Sequence, residues 1–363
     1  MLTKEKIVIR LRKVKRSLIF HFIFWYLSFL FYMFMTGEQQ IFNVYLNLLR
    51  VENVYYIILF LSASVSILFT FLDTIFTDRL MRFFPVSFII FIRSTLYFIS
   101  AFALILLAAR SPLTIYTSKN YTEILKQLPD MDIYFYRFLG HFYLSCILND
   151  FVKGMQKRMG RGNFRNWFFG LLNKPREESR IFMFIDMKAS TTIAEKLQHK
   201  KFSHLVQDIF NDLAVVDNYN GSIYQYLGDG AIISWNLKRG LYRNNVLKAF
   251  FAFSHVINKR GRYYQRKYDL IPKFKAGIHV GKVMVLQVGQ IRRDISYNGD
   301  TLNTAARIES MCNEYKQNLL ISGDLFNMVE DQKEFSFKNV GDIKLKGKRK
   351  AVEIYQVKKK NRR

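Results

Sequence analysis

The sequence predicts two unlike parts, an N-terminal bundle of membrane helices and a C-terminal α+β domain on a mainly antiparallel sheet. Long, almost unbroken apolar runs fill the first part, whereas from Arg180 onward short apolar runs alternate with helical periods and glycine turns. The 363 residues are 50% hydrophobic, which excludes a disordered chain. The two cysteines, Cys146 and Cys312, cannot form a disulfide framework or a cysteine-rich zinc site.

The membrane prediction rests on the length of the apolar runs, because a transmembrane helix needs roughly 20 mainly apolar residues. The first run is too long for the core of a signal peptide, and no small-residue cleavage site follows it. Polar residues such as Arg137 and Asp150 interrupt the fourth run, which is the weakest. We expect about four membrane helices, over residues 18–35, 54–72, 86–109 and 133–152.

The placement of Lys and Arg predicts the orientation, since cytoplasmic loops carry an excess of these residues. Basic clusters precede the first run, separate the second from the third, and follow the fourth, whereas the other two loops carry few unbalanced cations. Four spans place every basic cluster on one side of the membrane, but three would export the C-terminal half. We therefore expect a multi-pass protein of the cell (inner) membrane, with its N-terminus and C-terminal domain in the cytoplasm.

Charged residues inside and after these runs suggest further contacts. Asp73 closes the second run and Arg93 lies about two turns into the third, where we expect Arg93 to snorkel rather than to pair with Asp73. Residues 153–177 are basic and aromatic and predict contact with anionic lipid. The net charge of +27 fits this lipid contact and a polyanionic ligand, and the chain lacks any nucleic-acid recognition motif, so no nucleic-acid partner is expected.

Hydrophobic periods and turn signals define the elements of the C-terminal domain. The turn Gly228-Asp229-Gly230 separates two strands, Gly281 separates two more, and a basic connection precedes that second pair. In chain order we expect a strand (181–185), a helix (194–213), a strand pair (222–227 and 231–235), a helix (245–259), a second strand pair (274–279 and 282–288), a helix (302–312), a strand (319–322), a short helix (323–329) and two strands around 341–350.

Two aspartates stand where these elements end. Asp186 closes the first apolar strand, and Asp229 lies at the tip of a hairpin turn. Carboxylates so placed suit a divalent cation such as Mg²⁺, which takes few protein ligands and keeps positions for water and phosphate. The small polar turn from Lys188 to Thr192 enters a helix, whose first N–H groups can bind phosphate. The alternative is that Asp186 only caps this helix.

A second polar cluster lies on the predicted helix 302–312. Asn303 and Arg307 are four residues apart and therefore share a helix face. An amide and a guanidinium on one face can hold a sugar oxygen and a phosphate, although a solvated polar face has the same pattern. The basic turn around Lys346 can reach a triphosphate tail, or it is only a solvated run of charge.

In this order and spacing, the segments resemble the catalytic domain of class III nucleotide cyclases, the adenylate and guanylate cyclase family. The resemblance covers residues 178–358 and implies a ferredoxin-like α+β catalytic domain. The matching segments are Phe184-Ile-Asp186-Met-Lys-Ala-Ser190-Thr191, Tyr226-Leu-Gly228-Asp229-Gly230, Gly277-Ile-His-Val-Gly281, Arg293-Asp294-Ile-Ser296-Tyr-Asn-Gly299-Asp300-Thr-Leu-Asn303-Thr-Ala-Ala-Arg307-Ile-Glu309 and Val340-Gly341-Asp342-Ile-Lys-Leu-Lys346-Gly.

The resemblance implies that the chain binds two metal ions, Mg²⁺ or Mn²⁺, in each active site. Asp186, Asp229 and the Met187 carbonyl correspond to the metal ligands of the family. Backbone amides around Ser190 and Thr191 correspond to the site of the β- and γ-phosphates. The implied substrate is therefore a nucleoside triphosphate bound through its metal-bridged phosphates.

The resemblance also implies the reaction and the assembly. Asn303 would orient the ribose, Arg307 would stabilise charge on the α-phosphate in the transition state, and Lys346 would contact the triphosphate tail. The ribose 3′-oxygen would attack the α-phosphate and release pyrophosphate. Because the family's active site spans a dimer interface and this one chain carries both sets of residues, a homodimer with two equivalent sites is implied.

The two positions that read the purine in the family are Gln225 and Ser296. Gln225 replaces the Lys or Glu that usually stands there, and its amide both donates and accepts hydrogen bonds. Ser296 resembles the Thr of many bacterial adenylate cyclases. We therefore expect an adenylate cyclase that converts ATP to 3′,5′-cyclic AMP in signal transduction, with a guanylate or relaxed-purine cyclase acting on GTP as the alternative.

Two functions of other classes remain as alternatives, a catalytically inactive nucleotide-sensing membrane receptor and a transporter or channel regulated by its soluble part. Filled metal and transition-state positions disfavour the first, and the scarcity of polar residues inside the apolar runs disfavours the second. The expected domains are a membrane region (1–152), a basic juxtamembrane linker (153–177), the catalytic domain (178–358) and a basic tail (359–363).

Overall fold

The chain divides into two compact units, Met1–Arg158 and Met159–Arg363. Helices alone make up the described part of the first unit, whereas the second contains an extensive sheet. The computed structural model describes residues 2–36, 54–75, 85–109, 132–159, 163–172, 174–290, 294–329, 334–344 and 351–360.

Apolar side chains from each described helix form the core of the N-terminal unit. Trp25 stacks on Phe142 with ring centroids 4.7 Å apart, and Phe69 stacks on Tyr97 at 4.3 Å. All four rings are almost fully buried, so their packing contributes to the apolar core that holds this unit together. The helices are α1 (Leu2–Thr36), α2 (Val54–Ile75), α3 (Val86–Ala109) and α4 (Asp132–Met159).

The membrane prediction is confirmed only in part. Every expected span lies inside a helix, but among the described residues one helix, Ile7–Thr36, is long and apolar enough to cross a membrane. The apolar stretches Ile58–Thr74 and Ser87–Ala101 are shorter than the roughly 20 residues that a span needs. The N-terminal unit is therefore helical with one candidate span, and four spans remain a prediction.

The C-terminal unit alternates helices and strands in the order that an α+β domain requires. Short 3₁₀ turns, Ala214–Tyr219 and Tyr242–Asn244, follow α6 and α7. The elements are α5 (Asn163–Phe168), β1 (Arg176–Met187), α6 (Ser190–Leu213), β2 (Ser222–Leu227), β3 (Gly230–Asn236), α7 (Leu237–Leu241), α8 (Asn245–Lys259), α9 (Gly261–Tyr268), β4 (Phe274–Val288), β5 (Asp294–Asn298), α10 (Asp300–Glu314), β6 (Leu319–Ser322), α11 (Gly323–Met328), β7 (Phe335–Ile343) and β8 (Val352–Lys359).

The eight strands form one sheet in the order β2-β3-β1-β4-β6-β8-β7, with β5 paired to β4. Among the described strands only the β4–β6 pair is parallel, so the expected mainly antiparallel sheet is confirmed. In register, Ile185 of β1 lies opposite Ala231 of β3, and Asp186 lies opposite Lys275 of β4. The C-terminal end of β1 therefore meets the β2–β3 turn.

Alternate residues of β1 enter two different cores, because successive side chains of a strand point to opposite faces. Ile181 and Met183 join the larger core, which also receives Phe250 and other residues of α8. Phe182 joins the smaller core on the other side, together with Ala305 of α10. Helices thus cover the two faces of the sheet and hold its central strands rigidly.

Two expectations for this unit are wrong. Residues 274–288 form one continuous strand rather than a hairpin around Gly281, because β4 pairs along its length with β1 and its C-terminal half also pairs with β5. The expected basic connection contains the helix α9, whose Tyr264 and Tyr268 are fully buried. The basic residues of this helix made the segment resemble a connection in the sequence. They lie on the solvent side of an amphipathic helix, opposite the two buried tyrosines.

Candidate active site

The fold brings Asp186 and Asp229 to one edge of the sheet. Asp186 ends the apolar part of β1, and Asp229 lies in the two-residue turn that joins β2 to β3. A Cβ atom on Gly230 would lie 2.7 Å from the Ile185 carbonyl oxygen and 3.1 Å from Asp186 Oδ1. Glycine at this position therefore allows the hairpin to approach the aspartate closely.

The surroundings of Asp229 favour the binding of a cation. Burial raises the pKa of Asp229 above its ordinary value, the charge of Asp186 adds to this, and a hydrogen bond from Ser190 opposes it. The Oδ2 atom of Asp229 is buried and lacks a hydrogen-bond partner. Two repelling carboxylates with an unpaired oxygen fit a divalent metal ion, which binds carboxylate oxygen and removes the repulsion.

The side chains of the described residues do not supply a complete metal site by themselves. No group of three or more His, Cys, Asp or Glu side chains suited to a metal ion occurs in the described ranges. Asp186 and Asp229, with the predicted backbone carbonyl of Met187, would make a sparse, all-oxygen donor set. Such a set suits Mg²⁺, which is commonly held by one or two carboxylates plus substrate phosphates.

A helix begins directly beside the two aspartates. Ala189 adopts a left-handed conformation (φ 56°), and α6 starts at Ser190 without a side-chain hydrogen bond that caps it. Thr191 is exposed, and Ser190 lies within hydrogen-bonding range of Asp229. The N–H groups of this first turn are therefore available to an anion such as a phosphate.

The site also contains Lys275 and Glu309, which were not predicted from the sequence as site residues. The ammonium of Lys275 lies 3.2 Å from Asp186 Oδ2 and 2.6 Å from Glu309 Oε1. Burial alone would lower the pKa of Lys275, but Glu309 and Asp186 raise it, and burial raises the pKa of Glu309 in turn. A lysine inside the apolar segment Phe274-Lys275-Ala276 was the available signal, because a buried cation requires a partner.

Helix α10 carries the second group of predicted residues, and a tight contact fixes it against β4. A Cβ atom on Gly277 would lie 2.1 Å from the Glu309 amide nitrogen, which leaves no space for a side chain. Asn303 is exposed on this helix, and the Nη1 atom of Arg307 is buried without a hydrogen-bond partner. Asn303 is therefore accessible to a ligand or a second chain, whereas the unpartnered Nη1 atom of Arg307 is covered by its own chain.

The purine-reading candidates lie on two strands that approach each other. Gln225 is exposed on β2, next to an irregularity in its pairing with β3. Ser296 lies on β5 and donates a hydrogen bond of 2.9 Å to Asn298 Oδ1. An edge contact between Tyr224 and Tyr297, with centroids 4.8 Å apart, links the two strands.

The structure thus assembles one group of the predicted residues and keeps the other separate. Asp186, Asp229 and Ser190 lie together, whereas among the described residues no hydrogen bond or ion pair joins the side chains of Asn303 or Arg307 to them. Lys346 lies outside the described residues.

Comparison with known proteins identifies the C-terminal unit. Residues 172–359 match the family described as the adenylate and guanylate cyclase catalytic domain. Adenylate cyclase 2 of Rhizobium meliloti (strain 1021) is 30% identical over 199 residues, which are 54% of this chain and 55% of that protein. Adenylate cyclase 1 of the same organism is 29% identical over 180 residues, 48% of this chain and 27% of that protein.

This chain therefore spans about half or less of the length of these curated relatives. Among solved structures, a bacterial light-regulated adenylyl cyclase has a TM-score of 0.50 at 21% identity, over 59% of this chain and 64% of that chain. This similarity supports the α+β fold of the C-terminal unit. By the match over its C-terminal half, the chain belongs to the class III adenylate and guanylate cyclase family.

Proposed function

We propose that the protein is an adenylate cyclase that converts ATP to 3′,5′-cyclic AMP and pyrophosphate. The observation that carries this proposal is the carboxylate pair Asp186 and Asp229, with its unpaired buried oxygen, beside the uncapped start of α6. The pair suits divalent cations and the helix start suits phosphate oxygens. A metal-bound nucleoside triphosphate combines both chemistries in one ligand.

In the proposed reaction the ribose 3′-oxygen attacks the α-phosphate, and the bond to the β-phosphate breaks in line. Two Mg²⁺ or Mn²⁺ ions, held by Asp186, Asp229 and the Met187 carbonyl, would lower the pKa of the 3′-hydroxyl and neutralise phosphate charge. The first-turn amides at Ser190 and Thr191 hold the β- and γ-phosphates, which become the leaving pyrophosphate.

The remaining residues act on the sugar and on the reacting phosphate. Asn303 holds the ribose so that its 3′-oxygen faces the α-phosphate. The guanidinium of Arg307 stabilises the charge that develops on the α-phosphate oxygens, where a preorganised donor is worth roughly 10²–10³-fold in rate. Lys346 binds the triphosphate tail.

We propose that the active unit is a homodimer, because Asn303 and Arg307 of one protomer would complete the metal-binding half of its partner. The unpaired Nη1 of Arg307 supports this assignment. Mixing Asp186→Ala with Arg307→Ala protein tests it, since about half of all dimers are then heterodimers and each heterodimer holds one intact site. Activity should return to about a quarter of the wild-type value, whereas either variant alone stays inactive.

Product formation by the purified full-length protein tests the activity itself. ATP and GTP are supplied separately with Mg²⁺ or Mn²⁺, and Glu195→Gln, an exposed carboxylate on α6, is the matched control for Asp186→Ala. Cyclic AMP formation that is lost in Asp186→Ala and retained in Glu195→Gln supports the proposal. Absence of product from a dimeric protein with either nucleotide would favour the inactive nucleotide-sensing receptor.

A guanylate or relaxed-purine cyclase is the second candidate, and Gln225 is the observation that favours it. Its exposed amide can match the edge of either purine. Gln225→Lys should raise the ratio of ATP to GTP turnover by about tenfold, because it replaces an ambivalent amide by a donor. An unchanged ratio would show that Gln225 does not read the base.

We further propose a cell (inner) membrane location with about four spans and a cytoplasmic catalytic domain over 178–358. The support is the candidate span Ile7–Thr36, together with the basic clusters that would all lie on the cytoplasmic side. The linker 153–177 would contact anionic lipid through its cations and aromatic rings. Retention of the protein in membranes after alkaline carbonate washing supports this location, and release into the wash contradicts it.

A further inference from the structure

A buried charge cluster in the N-terminal unit joins all four of its described helices at Asp73. This carboxylate of α2 accepts hydrogen bonds from Ser17 of α1 at 2.8 Å, and from Arg93 and Tyr97 of α3 at 2.7 and 2.5 Å. Lys153 of α4 also donates to it. The expectation that Arg93 snorkels is therefore wrong, and the alternative of a pair with Asp73 is observed.

A histidine of α1 contacts the same carboxylate oxygen. His21 is fully buried, and its Nε2 lies 3.0 Å from Asp73 Oδ2 and 2.8 Å from Lys153 Nζ. An ammonium group has no lone pair, so Lys153 donates to Nε2 and that nitrogen carries no proton. Neutral His21 therefore holds its proton on Nδ1, which is buried without a hydrogen-bond partner.

The charges of the cluster cancel when His21 is neutral. Two carboxylates, Asp73 and Asp150, face two cations, Arg93 and Lys153, and the Arg93–Asp150 distance is 3.6 Å. Because burial penalises net charge, a proton that enters this cluster favours the departure of another cation. Lys153 is the cation placed to leave, because it shares Asp73 Oδ2 with His21, whereas Arg93 binds the other oxygen, Oδ1, and also lies beside Asp150.

We propose that His21, Asp73 and Lys153 form a proton-binding site in which His21 and Lys153 compete for one carboxylate oxygen. A proton from solvent adds to Nε2 of His21, and the new N–H donates to Asp73 Oδ2. Lys153 withdraws with its charge, so one proton is taken up and none is released. The Nδ1 proton is present before and after, and its missing partner adds no cost to the exchange.

The exchange changes which helices are joined. In the neutral state Lys153 joins α4 to α2. In the protonated state this bond is lost, and His21 adds a second bond from α1 to Asp73 beside that of Ser17. The proposal therefore predicts that acidification loosens α4, the helix that precedes the C-terminal unit in the sequence. The other titratable or charged groups facing the site are Arg93 and Tyr97 on α3 and Asp150 on α4.

Histidine NMR of the full chain in detergent micelles tests the competition. The ¹³C-labelled ring signal of His21, identified by its loss in His21→Gln, is followed between pH 5 and 8.5. In Lys153→Gln the midpoint of this titration should move to higher pH by about one unit, because the competitor is gone. The exposed Lys15→Gln, an equal change of charge on α1, should leave it within about 0.2 units.

Amine labelling tests whether Lys153 leaves Asp73. A lysine that affected His21 only through its charge would stay in place, and its labelling would not change. The reactivity of Lys153 is measured by mass spectrometry relative to Lys15 across the same pH range. The ratio should rise several-fold as His21 becomes protonated, and it should stay constant in His21→Gln. A constant ratio in the wild type overturns the exchange. A rise that persists in His21→Gln and disappears in Asp150→Asn overturns the assignment to His21 and makes Asp150 the proton acceptor.

Discussion

Each unit of the chain contains a partly buried cluster of charged side chains, and the two clusters differ in charge balance. The N-terminal cluster holds two carboxylates and two cations, whereas the C-terminal cluster holds three carboxylates and one described cation. The members are Asp73, Asp150, Arg93 and Lys153 in the first and Asp186, Asp229, Glu309 and Lys275 in the second.

This difference explains what each cluster can bind. In the balanced cluster every charge has an opposite charge nearby. The cluster can therefore take up a further charge, such as that of a proton, only when one of its own charged groups leaves. The unbalanced cluster keeps an excess of negative charge and an unpaired oxygen on Asp229, so it can gain a divalent cation without losing any of its own groups. Stability measurements on variants of the two clusters therefore test whether charge balance decides what each cluster binds.

The largest expected effect on stability is the removal of Lys275. In Lys275→Met the carboxylates of Glu309 and Asp186 lose their buried partner, and breaking such a pair costs about 3 kcal/mol. The melting temperature of the C-terminal unit should fall on the order of 10 °C, as measured by calorimetry. The double variant Lys275→Met/Glu309→Gln should recover much of the loss, because only the Asp186 carboxylate, whose side chain is 35% exposed, then lacks its lysine partner. Equal losses in both proteins would refute the importance of charge balance.

A divalent cation should have the next largest effect. At a Mn²⁺ concentration 100 times its dissociation constant, the C-terminal unit should gain about 2.7 kcal/mol in unfolding free energy. In Asp186→Asn the gain should disappear, while exposed Asp324→Asn should behave like the wild type. Hydrogen exchange in α2 and α3 should not respond to Mn²⁺, since the N-terminal cluster is balanced. Protection of those helices by the metal would contradict the difference between the clusters.

A smaller effect is expected when the balanced cluster loses a cation. Arg93→Met leaves Lys153 beside Asp73, so compensation is partial and the cost should be about 1–2 kcal/mol. Hydrogen exchange of α2 and α3 by mass spectrometry measures it, with Arg93→Lys as the variant that retains the charge. A loss as large as that of Lys275→Met would show that neighbouring cations do not compensate.

Sequence patterns predicted the sheet and its site better than the N-terminal unit. The short apolar run of β1 and the glycine turn at Asp229 are local signals, so they located the strands and the carboxylate pair. The Lys275 partnership depends on the register of β4 against β1, which no local pattern contains. The cluster at Asp73 was equally hidden, because its members come from helices far apart in sequence. Apolar length predicted four spans, of which the described residues show one clear candidate, Ile7–Thr36, and the other three remain a prediction.

The smallest expected effect is a gain of stability from Asp229→Asn. Burial and the charge of Asp186 raise the pKa of Asp229 in the folded state, so without metal its ionised form opposes folding. At pH 7 the variant should melt about 2–4 °C higher than the wild type in the presence of a chelator. As the pH falls through the raised pKa, Asp229 becomes protonated and the wild type regains the lost stability, so the difference should vanish in acid.

Melting curves between pH 4 and 7.5 measure this, and with Mn²⁺ the order should reverse because the wild type then has the better metal site. A variant that is less stable than the wild type at neutral pH without metal would show that the two carboxylates do not repel.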